Sequence, residues 1–154
     1  LFPPGHRRLM TIRIQKEGFD PWRELAAYQE MHTSDWAGRY GATAVFIGSL
    51  RDFNQGQAVT GMTLEHYPGM TEGYLEKISA EACTRWELLD TLVIHRYGPL
   101  SLGDPIVLVA VWSAHRDAAF AACRYLIDEL KTRAPFWKQE TTPGGVRWVE
   151  ENKP

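Results

Sequence analysis

Two lysines near the end of the chain have the types and spacing needed to exchange protons. Lys131 lies in the last turn of a predicted helix, and Lys138 follows seven residues later, beyond the helix-breaking Pro135. Suppose that both ammonium groups enter one partly buried pocket, about 6 Å apart at an effective dielectric constant of about 20. Their repulsion is then about 3 kcal/mol, which lowers the pKa of a lysine by about two units. We expect this repulsion to outweigh the opposing helix C-terminus and to leave a lysine that exchanges protons near neutral pH. On the residues alone, two solvated lysines are the simpler alternative.

A second group of cations stands where a predicted strand is followed by a helix. The run Ser113-Ala114-His115-Arg116 joins a strand over 106–111 to a helix over 115–134. The N–H groups of a first helical turn attract anions, so we expect Ser113 to cap the helix while His115 and Arg116 bind an anionic group. The alternative is a capped helix with two solvated side chains. Arg51, after the strand over 42–50, is a third candidate cation, although such a loop arginine is usually surface charge.

Composition excludes several classes of function. The 154 residues are 44% hydrophobic and 23% charged, which is typical of a globular protein rather than a disordered one. The net charge of -2 argues against a nucleic-acid binder or a polybasic membrane protein. Cys83 and Cys123 lack the spacing of metal ligands, so we expect neither a structural zinc site nor a disulfide framework. This use of cysteine favours a cytoplasmic location for the protein. P-loop, GxGxxG and GxSxG motifs are absent from the sequence, and the prediction is that no metal is bound.

The elements that must position these side chains follow the order β-α-β-β-α-β-β-α-β-β. Strands are predicted over 11–15, 42–50, 59–67, 88–97, 106–111, 136–142 and 146–150, and helices over 21–31, 68–86 and 115–134. Asp20 is expected to cap the first helix, and strands 42–50 and 59–67 are expected to form a hairpin. Adjacent strand pairs favour a single α+β domain over 10–154 with a mainly antiparallel sheet. Residues 1–9 are expected to be an N-terminal extension or a cloning remnant.

Five motifs follow one another along the chain, and together they cover most of residues 11–150. They are Gly48-Ser49-Leu50-Arg51 with Asn54 and Gly56; Leu64-Glu65-His66-Tyr67-Pro68-Gly69-Met70; Val93-Ile94-His95-Arg96-Tyr97-Gly98; Ser113-Ala114-His115-Arg116 with Ala119-Phe120; and Lys131-Thr132-Arg133-Ala134-Pro135-Phe136-Trp137-Lys138-Gln139-Glu140. In this order, the five motifs resemble the large, catalytic subunit of molybdopterin synthase. The last run and the His-Tyr-Pro-Gly-Met segment are specific to that family, whereas each of the others alone is weak.

The resemblance implies an α/β hammerhead fold and a sulfurtransferase of molybdenum cofactor biosynthesis. Such an enzyme inserts two sulfurs into cyclic pyranopterin monophosphate and thereby forms the dithiolene of molybdopterin. The sulfur arrives as a thiocarboxylate on the C-terminal Gly-Gly of a small ubiquitin-like partner, and two large subunits form the homodimer core of a heterotetramer. The resemblance implies no cofactor and no metal for this chemistry. A non-catalytic adaptor that grips a phosphate ligand or an acidic tail remains the alternative.

The resemblance also assigns roles to individual residues. Lys131 and Lys138 match the family's essential lysines, and part of the substrate pocket comes from the second subunit of the dimer. The expected substrate-binding residues are Arg51, His115, Arg116, Ser49, Gln139 and Glu140. Ser49 departs from the pattern, because some family members carry a lysine at that position.

Overall fold

The computed structural model describes residues 9–54 and 57–149 as three helices and ten strands. In chain order they are β1 (Leu9–Gln15), α1 (Pro21–Trp36), β2 (Ala42–Ser49), β3 (Phe53–Asn54), β4 (Gln57–Ala58), β5 (Gly61–His66), α2 (Met70–Trp86), β6 (Asp90–Arg96), β7 (Gly98–Ser101), β8 (Pro105–Ser113), α3 (Arg116–Thr132), β9 (Phe136–Thr142) and β10 (Gly145–Val149). Of the predicted N-terminal extension, residues 1–8 lie outside the described residues, whereas Leu9 already belongs to β1.

The strands form two four-stranded sheets and a small β3–β4 pair. The first sheet has the order β1-β6-β8-β2, and only its β1–β6 pair is parallel. The second sheet has the order β10-β9-β5-β7 and is antiparallel throughout. The predicted α+β fold with mainly antiparallel pairing is therefore confirmed.

The predicted hairpin between residues 42–50 and 59–67 is wrong. β2 pairs instead with β8, with Ala42 opposite Ser113, and β5 lies in the other sheet between β9 and β7. The physical reason is burial. β8 is an apolar strand that must be buried almost throughout, so it needs a neighbouring strand on each edge and a packed layer on each face. β2 supplies one of those neighbours. By contrast, β5 buries only the face that carries Met62 and Leu64.

Helix α1 extends five residues beyond its predicted end. Asp20 caps its start as expected, with Oδ1 accepting hydrogen bonds from the N–H groups of Trp22 (3.0 Å) and Arg23 (3.3 Å). The last turn is retained because Trp36 is fully buried, with its ring centroid 4.8 Å from that of Trp112 on β8. This aromatic contact between α1 and the sheet outweighs the polar composition of the last helical turn.

Helices cover both faces of the first sheet. Val93, Val107 and Val109 pack against α2 and α3, while Leu92 and Leu108, which alternate with them, pack against α1. A third apolar cluster lies under the second sheet and is formed by Leu50, Val59, Met62, Leu64, Leu100 and Ile106. In the described part of the chain, no helix is both long and apolar enough to cross a membrane.

Candidate active site

A cavity of about 650 Å³ lies between the second half of α3, the end of β2 and the second sheet. Its volume suits a small-molecule ligand. Leu50, Met62 and Ile106 give it a buried apolar wall. Lys131 from α3 and Lys138 from β9 are half-buried in the same cavity. The two lysines that the sequence singled out therefore do meet at one site.

A tied turn fixes these lysines relative to one another. Pro135 lies three residues after the end of α3, and its carbonyl accepts a hydrogen bond from the hydroxyl of Thr71 at 3.0 Å. The same hydroxyl accepts from the N–H of Tyr67 at 3.1 Å, and Thr71 is fully buried. The rings of Tyr67 and Trp137 lie 4.4 Å apart. Tyr67 of the His-Tyr-Pro-Gly-Met segment and Thr71, which follows that segment, thus hold the turn between the two lysines.

Burial lowers the pKa of both lysines. Desolvation disfavours the ammonium form of Lys131, so its pKa lies below the ordinary value. The pKa of Lys138 falls from 10.5 to about 8, first because of burial and second because of the charge on Lys131, while Glu140 acts in the opposite direction. The expectation that repulsion is the deciding cause is wrong, since burial contributes more. The expected lysine of lowered pKa is nevertheless present.

His95 lies beside the lysine pair as a neutral imidazole. Its ring is 3% exposed and stacks on Phe136, with centroids 4.0 Å apart and planes 19° apart. Nδ1 lies 2.7 Å from the carbonyl of Arg96, so this nitrogen carries the hydrogen that donates to it. Burial, and then the charges of Lys131 and Lys138, lower the pKa of His95 to about 3. His95 is therefore uncharged at neutral pH and adds no third positive charge.

Glu140 supplies a buried carboxylate to the cavity. It is 1% exposed, and its Oε1 accepts from Arg147 Nη2 at 2.9 Å and from Nε at 3.0 Å. The pair spans the β9–β10 hairpin, in which Arg147 lies directly opposite Glu140. The positive charge of Arg147 offsets part of the cost of burying a carboxylate beside Lys138.

Of the predicted binding residues, three reach the cavity. Ser49, Arg51 and Glu140 line it together with the two lysines. Ser49 and Arg51 are exposed at its outer end. The cavity thus has a buried inner end and a charged, open rim.

His115 and Arg116 do not reach this cavity within one chain. Both are exposed at the first turn of α3, and at 1.5 Å per residue Arg116 is about 22 Å along the helix from Lys131. The predicted Ser113 cap is also displaced. His115 occupies the N-cap position, and Ser113 is the buried last residue of β8, its Oγ accepting from the N–H of His115 at 3.4 Å.

Gln139 also points away from the cavity. Successive side chains of a strand alternate, so Lys138 and Glu140 face the apolar cluster while Gln139 faces outward. Its cross-strand neighbours are Thr63 and the exposed Trp148. Gln139 therefore does not line this cavity within a single chain, and its role in substrate binding stays a prediction.

Three charged residues of the site were missed from the sequence. Arg124 and Asp128 line the rim, one turn apart on the face of α3 that carries Lys131, and Arg147 holds Glu140. The i, i+4 spacing and the hairpin register were readable signals. No group of three or more His, Cys, Asp or Glu side chains that could hold a metal ion occurs among residues 9–54 and 57–149.

Comparisons with known proteins identify the family and agree with the fold. A family model described as MoaE protein matches residues 14–133. The chain is 54% identical over 141 residues to the molybdopterin synthase catalytic subunit of Pseudomonas aeruginosa, covering 92% of this chain and 91% of that one. The molybdopterin biosynthesis MoaE protein from Burkholderia ambifaria has a TM-score of 0.76 at 49% identity, covering 94% of this chain and 91% of the other. Molybdopterin synthase from Staphylococcus aureus has a TM-score of 0.78 at 31% identity, covering 90% and 96%. The chain belongs to the MoaE family of molybdopterin synthase catalytic subunits.

Proposed function

We propose that this chain transfers sulfur from a thiocarboxylated partner to cyclic pyranopterin monophosphate and so forms the dithiolene of molybdopterin. The observation that carries the proposal is the half-buried pair Lys131 and Lys138 in one cavity, with the pKa of Lys138 lowered to about 8. The partner is a small ubiquitin-like subunit ending in Gly-Gly, and the assembly is a cytoplasmic heterotetramer around a homodimer of this chain. The name of the relatives, catalytic subunit, favours an enzyme over a ligand-binding adaptor.

Each lysine has a separate task in this proposal. Lys131 pairs with the anionic thiocarboxylate at the end of the partner's tail. Lys138 is mostly protonated at neutral pH, and its lowered pKa makes its ammonium a better general acid. It gives a proton to the oxygen that departs from the pterin side chain as the thiocarboxylate sulfur bonds to that carbon, and water then cleaves the acyl–sulfur bond and releases the partner as a carboxylate. The charge of Glu140, which is fixed by Arg147, partly offsets the lowering of the Lys138 pKa.

The substrate phosphate needs cations beyond the lysines, and Arg51 at the rim supplies one. His115 and Arg116 lie too far along α3 to reach the cavity of their own chain. We propose that they enter the cavity of the second subunit in the homodimer. Each pocket would then be built from two chains.

Reconstituted turnover tests the lysine assignment. The wild-type chain, a Gly-Gly thiocarboxylated partner and cyclic pyranopterin monophosphate should yield molybdopterin. Lys131→Ala and Lys138→Ala should each nearly abolish product without unfolding the chain, because each removes a charge rather than core volume. Lys77→Ala, at an exposed position of α2, is the matched control. Near-normal turnover of both alanine variants of the pair would refute the assignment.

Mixed dimers test the shared pocket. A Lys138→Ala chain and an Arg116→Ala chain, unfolded and refolded together in equal amounts, would form mixed dimers as about half of all dimers. If Arg116 acts on the partner's pocket, every mixed dimer has one intact pocket, and about a quarter of wild-type activity returns. Activity no higher than that of the separate variants would place Arg116 in its own chain's site or outside the reaction.

A further inference from the structure

Arg124 is a rim residue to which no role has been given so far. It lies seven residues before Lys131 on α3, which is about two helical turns or about 10 Å along the axis, and both side chains line the cavity. The side chain of Arg124 is 76% exposed, so its guanidinium lies at the open end. Arg51, from the chain segment after β2, is exposed at the same rim.

The present partner of Arg124 is easily exchanged. Its Nε donates to Asp128 Oδ2 at 2.9 Å, in an i, i+4 pair whose carboxylate side chain is 58% exposed. Exposed ion pairs of this kind contribute about 0–1 kcal/mol. An anionic ligand that offers two oxygens to the planar guanidinium can therefore replace the carboxylate at little cost.

The charge balance of the cavity favours such a ligand. Its lining carries four basic side chains, Arg51, Arg124, Lys131 and Lys138, against the acidic Asp128 and Glu140. Glu140 is already held by Arg147, outside the lining. The excess of positive charge attracts an anion, and the two arginines lie at the open end, where an anionic group can enter first.

We propose that Arg124 is a substrate-binding residue. Together with Arg51 it contacts the phosphate group of the pterin, and the phosphate replaces Asp128 as the partner of the Arg124 guanidinium. This inference rests on the proposed function and deepens it. Asp128 is then a competitor for the guanidinium, so substitution of the two residues must act in opposite directions. A merely structural ion pair would weaken binding, or leave it unchanged, whichever partner was removed.

Calorimetric titration of the chain with cyclic pyranopterin monophosphate tests this inference. Arg124→Gln should raise Kd about tenfold, which corresponds to about 1.4 kcal/mol. Asp128→Asn should lower Kd about two- to threefold, and this gain should vanish in the Arg124→Gln background. In turnover, Arg124→Gln should raise KM and leave kcat nearly unchanged. The control is Arg23→Gln, because Arg23 is an exposed arginine paired with Asp20 on α1, across the sheet from the cavity.

The outcomes separate the inference from the function on which it rests. Wild-type binding with an unchanged Kd in Arg124→Gln overturns the role of Arg124 alone. An equal loss in Arg23→Gln overturns it as well, because the effect would then reflect only net charge. An equal gain from Asp128→Asn in both backgrounds overturns the exchange of partners. Absence of pterin binding and of turnover in the wild type refutes the proposed function itself.

Discussion

Substitution of Lys131 by glutamine should raise the pKa of Lys138 without restoring its ordinary value. Glutamine keeps most of the side-chain volume and removes the charge, so the burial of Lys138 is nearly preserved. The pKa of Lys138 is lowered from 10.5 to about 8, with burial as the largest cause and the charge of Lys131 as the second. Loss of that charge should therefore return less of the shift than loss of burial would, about one unit or about 1.4 kcal/mol.

Carbon-13 NMR of lysine-labelled protein measures this pKa directly. The sequence has five lysines, so the titration curves are few, and disappearance of one signal in Lys138→Arg assigns the residue. Lys77→Gln is the control, because it removes an exposed positive charge on α2 and should leave the pKa of Lys138 in place. If the pKa of Lys138 is the same in Lys131→Gln and in the wild type, the charge of Lys131 does not act on Lys138. A wild-type value near 10.5 would refute the argument from burial.

Other perturbations test the scaffold around the site. Thr71→Val removes the hydroxyl bound to the Pro135 carbonyl, so we expect a loss of about 1–3 kcal/mol in unfolding free energy and a lower kcat. Thr71→Ser keeps a hydroxyl and should retain most of the stability and of kcat. An equal kcat in the two variants would contradict the role of Thr71 in holding the turn. Arg147→Met leaves the buried carboxylate of Glu140 without this ion pair and should destabilise the protein by about 3–5 kcal/mol, with partial recovery in the Arg147→Met, Glu140→Gln double variant; no recovery in a denaturant titration would contradict this. Burial raises the pKa of Asp90 from 3.8 to about 7, so the wild type should lose stability as pH rises from about 4 to 7. Asp90→Asn should remove that dependence and be more stable than wild type at pH 8, by up to about 4 kcal/mol in urea unfolding at fixed protein concentration; lower stability of the variant at pH 8 would contradict it.

Local patterns predicted the individual elements better than their pairing. The apolar spacing of α3 and the stop at Pro135 were readable, as were the Asp20 cap and the apolar run of β8. The alternation of apolar and polar residues along a strand does not identify the strand with which it pairs. The predicted pairing of β2 was therefore wrong. No strand is predicted over the residues of β7, because its Gly98-Pro99 start is typical of a turn.

For the site, the sequence identified the reactive side chains but not their surroundings. Lys131 and Lys138 converge as expected, yet the burial that lowers their pKa comes from residues far apart in the chain and has no local signal. His115 and Arg116 were grouped with them, although the length of α3 separates the two groups. The outward direction of Gln139 could have been read, because it follows Lys138 directly on a strand.

The pH dependence of single-turnover molybdopterin formation tests the central claim most directly. With wild-type chain, thiocarboxylated partner and cyclic pyranopterin monophosphate, the rate should be nearly constant from pH 6 to 7.5. It should fall about tenfold per unit above about pH 8, as Lys138 loses the proton that it donates. Lys138→Arg should form almost no product, because a guanidinium does not release its proton. A rate that stays constant to pH 9.5, or full activity of Lys138→Arg, would contradict the account.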